Sequence, residues 1–233
     1  MSASQPKVLF VLTSHDKLGD TGKPTGWYLP EFAHPYNALE PHAQIAVASP
    51  AGGEAPLDPS SVESSKSDEA SVDFLNNKSA LWKNTEKLSS FLGRANEFAA
   101  IFYVGGHGPM FDLATSSTSH QLIQEFHSAN KVVSAVCHGP AALINVKVTD
   151  GSYLIANAPV TGFSNAEEDS VGLSAAMPFL LETELNKNSG GRFEKAAEPW
   201  AEKVVVAHGG KLITGQNPAS ATAVGHAILK AIS

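Results

Sequence analysis

The chain has 233 residues, 42% of them hydrophobic and 17% charged, a composition ordinary for a folded globular protein and unlike that of a disordered one. A formal charge of −7 with no Lys/Arg-rich run argues against nucleic acid or an anionic membrane surface as partner. One cysteine excludes an intrachain disulfide and fits a reducing compartment, the cytoplasm or nucleus.

In chain order, Val8–Thr13 is a continuous apolar run, as expected of a strand buried on both faces of a parallel sheet. It is too short for the core of a signal peptide, and no segment approaches the ~18 apolar residues of a spanning helix, so a soluble intracellular protein is expected. The stretch WYLPEFAHPYNALE reads as a helix kinked or broken by its two prolines, followed by a strand at Gln44–Ser49. Residues 50–80 are rich in Pro, Gly, Ser and acid. They read as a surface excursion within one domain spanning 1–233, because strand–helix alternation resumes afterwards. Leu81–Leu92 carries a helical apolar face, and Phe98–Val104 is a buried strand running into GGHGPMFD. A helix is expected at Ser119–Ala129, a strand at Lys131–Val136 and a helix start at Pro140–Val146. An apolar helix at Pro178–Leu185, a hairpin in VVVAHGGKLITG and a helix from Pro218 to Ile232 complete the chain. This alternation predicts an α/β fold, a mostly parallel central sheet between helical layers with one small additional hairpin.

The chemistry concentrates in KVVSAVCHGPAAL. A buried strand ends at Cys137, Gly139 permits a sharp turn, and Pro140 suits a first helical turn. Together these predict a nucleophile elbow at the carboxyl edge of the sheet, where open α/β folds place their sites. A helix start there would stabilise a thiolate and lower its pKa. A lone cysteine in an arbitrary chain is more often a small buried apolar residue; the elbow and the adjacent His138 favour a reactive thiol. On a regular strand His138 would face away from Cys137, but at an elbow the alternation breaks. A catalytic imidazole needs an acceptor on its other nitrogen, and Glu167, Glu168 and Asp169 in TGFSNAEEDSVG are candidates, although acids in a first helical turn also serve the helix dipole. In GGHG, Gly106 is a candidate N–H donor to an oxyanion and His107 a candidate pocket residue. Neither G-x-G-x-x-G nor a Walker pattern is present, and without H-E-x-x-H, C-x-x-C or a compact His/carboxylate cluster in the sequence no metal or other cofactor is expected.

VLFVLTS, TGWYLPEFAHP, SPAGGEAPLDPSS, FYVGGHGPMFDL, VSAVCHGPAAL, VTGFSNAEE and LITGQNPASA, in that order along nearly the whole chain, resemble the ThiJ/PfpI superfamily. This is a flavodoxin-like, class I glutamine amidotransferase-like fold, and the resemblance is to its fungal heat-shock chaperone and glutathione-independent glyoxalase III branch. It implies Cys137 as nucleophile, His138 as catalytic histidine, Glu168 as the orienting acid and Glu31 as a buried carboxyl beside the thiol. The implied oxyanion donors are the N–H groups of Gly106 and His138. The implied reaction converts methylglyoxal to D-lactate through a Cys137 hemithioacetal, and glyoxal is a further implied substrate. A carboxyl beside a thiolate should have a raised pKa and be able to shuttle a proton. Trp27, Met110 and Phe111 are candidates for shaping the pocket. A homodimer and binding of unfolded client proteins are also implied. Rival readings are a redox-sensing holdase, a protein deglycase using the same cysteine, and a cysteine peptidase. A glutamine amidotransferase is disfavoured, since neither His208 nor His226 begins an H-x-E.

Overall fold

Continuous apolar runs become the interior strands of a seven-stranded sheet, seen in a computed structural model that describes residues 5–233. The strands are β1 (Lys7–Val11), β2 (Gln44–Ser49), β3 (Glu86–Lys87), β4 (Ala100–Tyr103), β5 (Val132–Val136), β6 (Val204–Ala207) and β7 (Leu212–Gly215). Their spatial order is β3-β2-β1-β4-β5-β7-β6, parallel throughout except for the β6–β7 hairpin. Without the two-residue β3 and the hairpin strand β6, this is the flavodoxin-like arrangement. Every residue of β4 and β5 is buried, so both faces are covered by helices. Val11 pairs with Ala48 and Tyr103, Tyr103 with Ala135, and Val136 with Gly215. That register aligns the carboxyl ends of the inner strands along one edge, and the loops leaving that edge build the site.

Helix α1 (Leu29–Leu39) runs unbroken where two prolines predicted a kink. Pro30 lies in the first turn, where no N–H is needed, and Pro35 is carried by packing. Phe32, Ala33, Tyr36 and Leu39 are buried along it. At Gly225 of α8 (Ala221–Ile232) an added Cβ would come within 2.9 Å of Pro35 Cα, so the glycine permits close approach of the two helices. Residues 50–80, expected as a surface excursion, lie largely at the surface but are not without regular structure. They form α2 (Pro59–Ser64) and α3 (Glu69–Asn77) and lead into α4 (Ala80–Lys83), burying Ser61, Ser71 and Phe74. Phe74 joins an aromatic cluster with Phe32, Tyr36 and Trp82.

The helix expected over Leu81–Leu92 ends at Lys83. Thr85 exchanges two backbone hydrogen bonds with Gly53, drawing the polar Lys83–Lys87 segment into extended structure before a 3₁₀ turn at Leu88–Phe91. Helix α5 (Ser117–Ser128) is capped by Ser116 Oγ and buries Leu122, Ile123 and Phe126. The helix expected after Cys137 is only a 3₁₀ turn, Gly139–Leu143. Helix α6 (Asn165–Ser170) follows in the TGFSNAEE segment, α7 (Leu181–Asn188) begins later than the expected Pro178, and the β6–β7 hairpin turns at His208–Gly210. Among the described residues no helix is long and apolar enough to cross a membrane.

Candidate active site

Cys137 follows directly on β5 and takes a left-handed φ of +59°, a conformation that costs a non-glycine residue about 1 kcal/mol or more. Its N–H donates to Gly215 O at 3.0 Å and its carbonyl accepts from Phe163 N–H at 2.9 Å, so neighbours on both sides hold the turn. A Cβ on Gly139 would stand 2.4 Å from Tyr103 O, which explains the glycine two residues on. This is the elbow the sequence predicted, made by a strained cysteine and a short 3₁₀ turn.

The break in alternation folds His138 back, placing its Nδ1 3.4 Å from Cys137 Sγ. On the other side its Nε2 lies 2.6 Å from Glu168 Oε2. The second oxygen, Glu168 Oε1, is 2.9 Å from His107 Nε2, and the two imidazole rings lie 4.2 Å apart. An ionised carboxylate only accepts, so both Nε2 atoms carry hydrogen, leaving Nδ1 of neutral His138 free to accept from the thiol.

The capping of α6 sets which acid arrives there. Ser164 Oγ accepts from Glu167 N–H, while the Glu167 carboxylate accepts from Ser164 N–H and Oγ, Trp200 N–H, Gln216 Nε2 and Asn217 Nδ2. Glu167 is thereby committed to the adjoining loops, and Glu168, one residue on, turns toward the histidines. Asp169 bonds Ser174 at the surface.

Glu31, in the first turn of α1, is fully buried against the thiol. Gly105 allows this approach, since a Cβ there would lie 2.3 Å from Glu31 Oε2 and 2.8 Å from Cys137 Cβ. Neither Glu31 oxygen makes a hydrogen bond of ordinary geometry, although the thiol and the N–H groups of Gly105 and Gly106 face it. Burial pushes the Glu31 carboxyl well above the usual range, and Asp58 adds to this; the thiol and the two N–H groups only partly oppose it. Burial thus favours the protonated carboxyl.

Burial also raises the Cys137 thiol, as does Glu31, with Gly106 N–H opposing. The lowered thiol pKa expected from the sequence is corrected on this point. The thiol is 3% exposed, and no α-helix begins behind it to stabilise a thiolate. Burial, with His107 nearby, lowers His138 to about 4 despite Glu168. Burial would raise Glu168, but hydrogen bonds from His107 and His138 outweigh it and hold this carboxylate well below its ordinary value. These shifts together favour a protonated Glu31, a thiol and a neutral His138 beside an ionised Glu168.

A cavity of about 350 Å³ opens onto Cys137, Glu31, Gly106, His107 and His138. Neither Gly106 N–H nor His138 N–H is taken by a backbone carbonyl, and Gly106 N–H faces the Glu31 carboxyl and the Cys137 sulfur. Three expected pocket residues do not line this cavity. Trp27 is fully buried with its Nε1–H on Ala55 O, Met110 is buried below the loop, and Phe111 stacks on His15 beside a separate groove. Their places are taken by Tyr28, Phe163, Leu173, Trp200 and Pro218, with Lys23, Asp58 and Ser60 as polar lining. Phe163 lay within the T-G-F motif, but nothing local marked Tyr28 or Trp200. The folded chain also makes a compact His/carboxylate cluster that sequence spacing did not reveal. Ligand atoms of His107, His138 and Glu168 lie within 4.8 Å of one another, but both Glu168 oxygens are already taken by imidazole N–H groups.

Known proteins share this arrangement of chain and fold. Glutathione-independent glyoxalase hsp3101 of Schizosaccharomyces pombe is 29% identical over 98% of this chain and 96% of its own. Glyoxalase III of Candida albicans superposes with a TM-score of 0.86 at 28% identity, covering 98% of each chain. The Rapid Encystment Protein 24 KDa of Francisella tularensis superposes with a TM-score of 0.90 at 38% identity, over 98% of this chain and 99% of that one. The DJ-1/PfpI family model matches residues 30–231. The chain belongs to the DJ-1/PfpI family.

Proposed function

We propose that the protein is a glutathione-independent glyoxalase that converts methylglyoxal, and glyoxal, to the corresponding 2-hydroxy acid, D-lactate from methylglyoxal. The observation that carries this reading is the buried, unpaired Glu31 carboxyl against the Cys137 thiol. A protonated acid beside a soft nucleophile is what addition to an aldehyde and a later proton shift require. The likeness to named glyoxalases from two yeasts supports it independently.

In the proposed sequence His138 Nδ1 takes the thiol proton as sulfur adds to the aldehyde carbon C1. Glu31 protonates the resulting oxygen, which gives the hemithioacetal. The Glu31 carboxylate so formed takes the C1 proton and returns it at C2, while the hydroxyl proton passes from O1 to O2. C1 is thereby oxidised to a thioester and C2 reduced to an alcohol within one molecule, so no external oxidant is needed. The Glu31 carboxylate then deprotonates the water that attacks the thioester, and His138 returns its proton to the departing sulfur, restoring the thiol, neutral His138 and protonated Glu31. The Gly106 and His138 N–H groups stabilise the oxyanion at addition and at hydrolysis. Glu168 and His107 keep His138 in the tautomer that faces sulfur.

The test is lactate formation from methylglyoxal without glutathione, assayed by enantiomer. Loss of turnover is expected in Cys137→Ala, with the melting temperature retained. A variant that folds and still turns over at the original rate would refute the scheme. The redox-sensing reading is less well supported, because a sensor thiol is accessible and of low pKa, whereas this one is buried and raised. Homodimerisation and client binding belong to the same family reading. Suppression of client aggregation by the Cys137→Ala protein would separate such a surface from the site.

A further inference from the structure

We propose that Trp200 and Phe163 form a receiving wall for a bulky apolar group on the carbonyl side of the substrate, so that aryl 2-oxoaldehydes are preferred to methylglyoxal. The inference rests on the glyoxalase reading and names the substrate class of that site. Methylglyoxal has three carbons and two oxygens, whereas a 350 Å³ cavity has room for about ten water molecules. It lies at the lower end of the range that encloses ligands the size of drugs. A three-carbon substrate bound at sulfur leaves most of that space unfilled.

The unfilled part has an aromatic wall. Phe163 packs on the His138 ring at 4.4 Å, and Trp200 meets Phe163 edge-on at 5.5 Å. A continuous face thus leads from the catalytic imidazole to the mouth. Trp200 is 43% exposed, whereas Trp27 and Trp82 are buried in the core. Its backbone is held in the left-handed region at φ +66°, and its N–H donates at 2.9 Å to the buried Glu167 carboxylate. The fold thus holds a strained backbone that sets a large apolar ring in water beside its site, and a planar apolar ligand stacking there would cover that ring. Val171 and Leu173 extend the apolar lining.

The experiment compares kcat/KM for phenylglyoxal, yielding mandelate, with that for methylglyoxal and for the hydroxylated three-carbon 2-oxoaldehyde. The protein, Trp200→Ala and Trp200→Phe are each assayed. Truncation at Trp200 keeps the backbone bond to Glu167, so the fold is retained. Arg94 and Arg192, the arginines phenylglyoxal would modify, do not line the cavity. The expected result is a phenylglyoxal to methylglyoxal ratio above one, falling on the order of tenfold in Trp200→Ala through KM and largely restored in Trp200→Phe. Phenylglyoxal should also quench the Trp200 fluorescence of Cys137→Ser. A ratio at or below one, a ratio untouched by Trp200→Ala, or preference for the hydroxylated aldehyde would each overturn the inference while the glyoxalase reading stands. Failure to convert any of the aldehydes would overturn that reading as well.

Discussion

Glu31→Gln tests the central claim about the site, that its buried carboxyl holds a proton at neutral pH. Glutamine keeps the volume but has no proton to exchange. In the unfolded chain Glu31 ionises near its ordinary 4.5, while burial keeps it protonated in the folded protein well above that pH. Folding therefore retains a proton that the unfolded chain releases, and the native protein loses about 1.4 kcal/mol of stability for each pH unit above 4.5 until the folded carboxyl itself ionises. Glutamine removes that slope. For a chain of this length the gap in melting temperature between Glu31→Gln and the native protein should widen by about 3–5 °C per pH unit between pH 5 and 7. Unpaired N–H groups of the new amide add a constant offset and leave the slope untouched. Differential scanning calorimetry at several pH values measures the gap. Turnover should fall by about 10²–10⁴, the usual contribution of a positioned acid–base group. A gap that does not change with pH would mean that Glu31 is ionised in the fold, and its role as proton donor would fail.

Three further outcomes are expected. Glu168→Ala should lower kcat by a hundredfold or more, because His138 loses the acceptor that orients it, whereas Asp169→Asn should leave kcat within about twofold; the reverse order in steady-state assays would reassign the acid. His138 is held neutral down to about 4, so the folded protein refuses a proton that the unfolded chain accepts below 6.5. The His138 contribution to stability should accordingly be full above pH 6.5 and be lost as pH falls toward 4, opposite in sign to the Glu31 slope, and thermal melts of His138→Gln against the native protein should show that contribution removed. Gly105→Ala places a methyl group against Glu31 Oε2 and Cys137 Cβ; turnover should drop at least tenfold, with a loss of stability of about 1–3 kcal/mol measured by denaturant titration.

The strands and the elbow were legible because their determinants are local. A run such as VLFVL or VVSAV cannot be solvated on either face and must lie inside a sheet. Cys-His-Gly-Pro after such a run leaves few ways for the chain to turn. The order of motifs pointed to Glu31 and Glu168, but the capping box that diverts Glu167 and turns Glu168 toward His138 is a three-dimensional fact. Tertiary structure decided the rest. Pro35 stays within a helix because α8 packs against it, and the surface segment 50–80 is anchored because Phe74 finds an aromatic cluster. The thiol pKa rises because burial and Glu31 outweigh the Gly106 N–H, with no α-helix start behind the cysteine. Tyr28 and Trp200 reach the cavity from distant loops, while Trp27, beside Tyr28 in the chain, points into the core. Apolar pattern and turn chemistry act over a few residues and are written in the sequence. Desolvation, proximity across the sheet edge and the choice of which neighbour faces a cavity depend on what else fills that space, and only the folded chain specifies it.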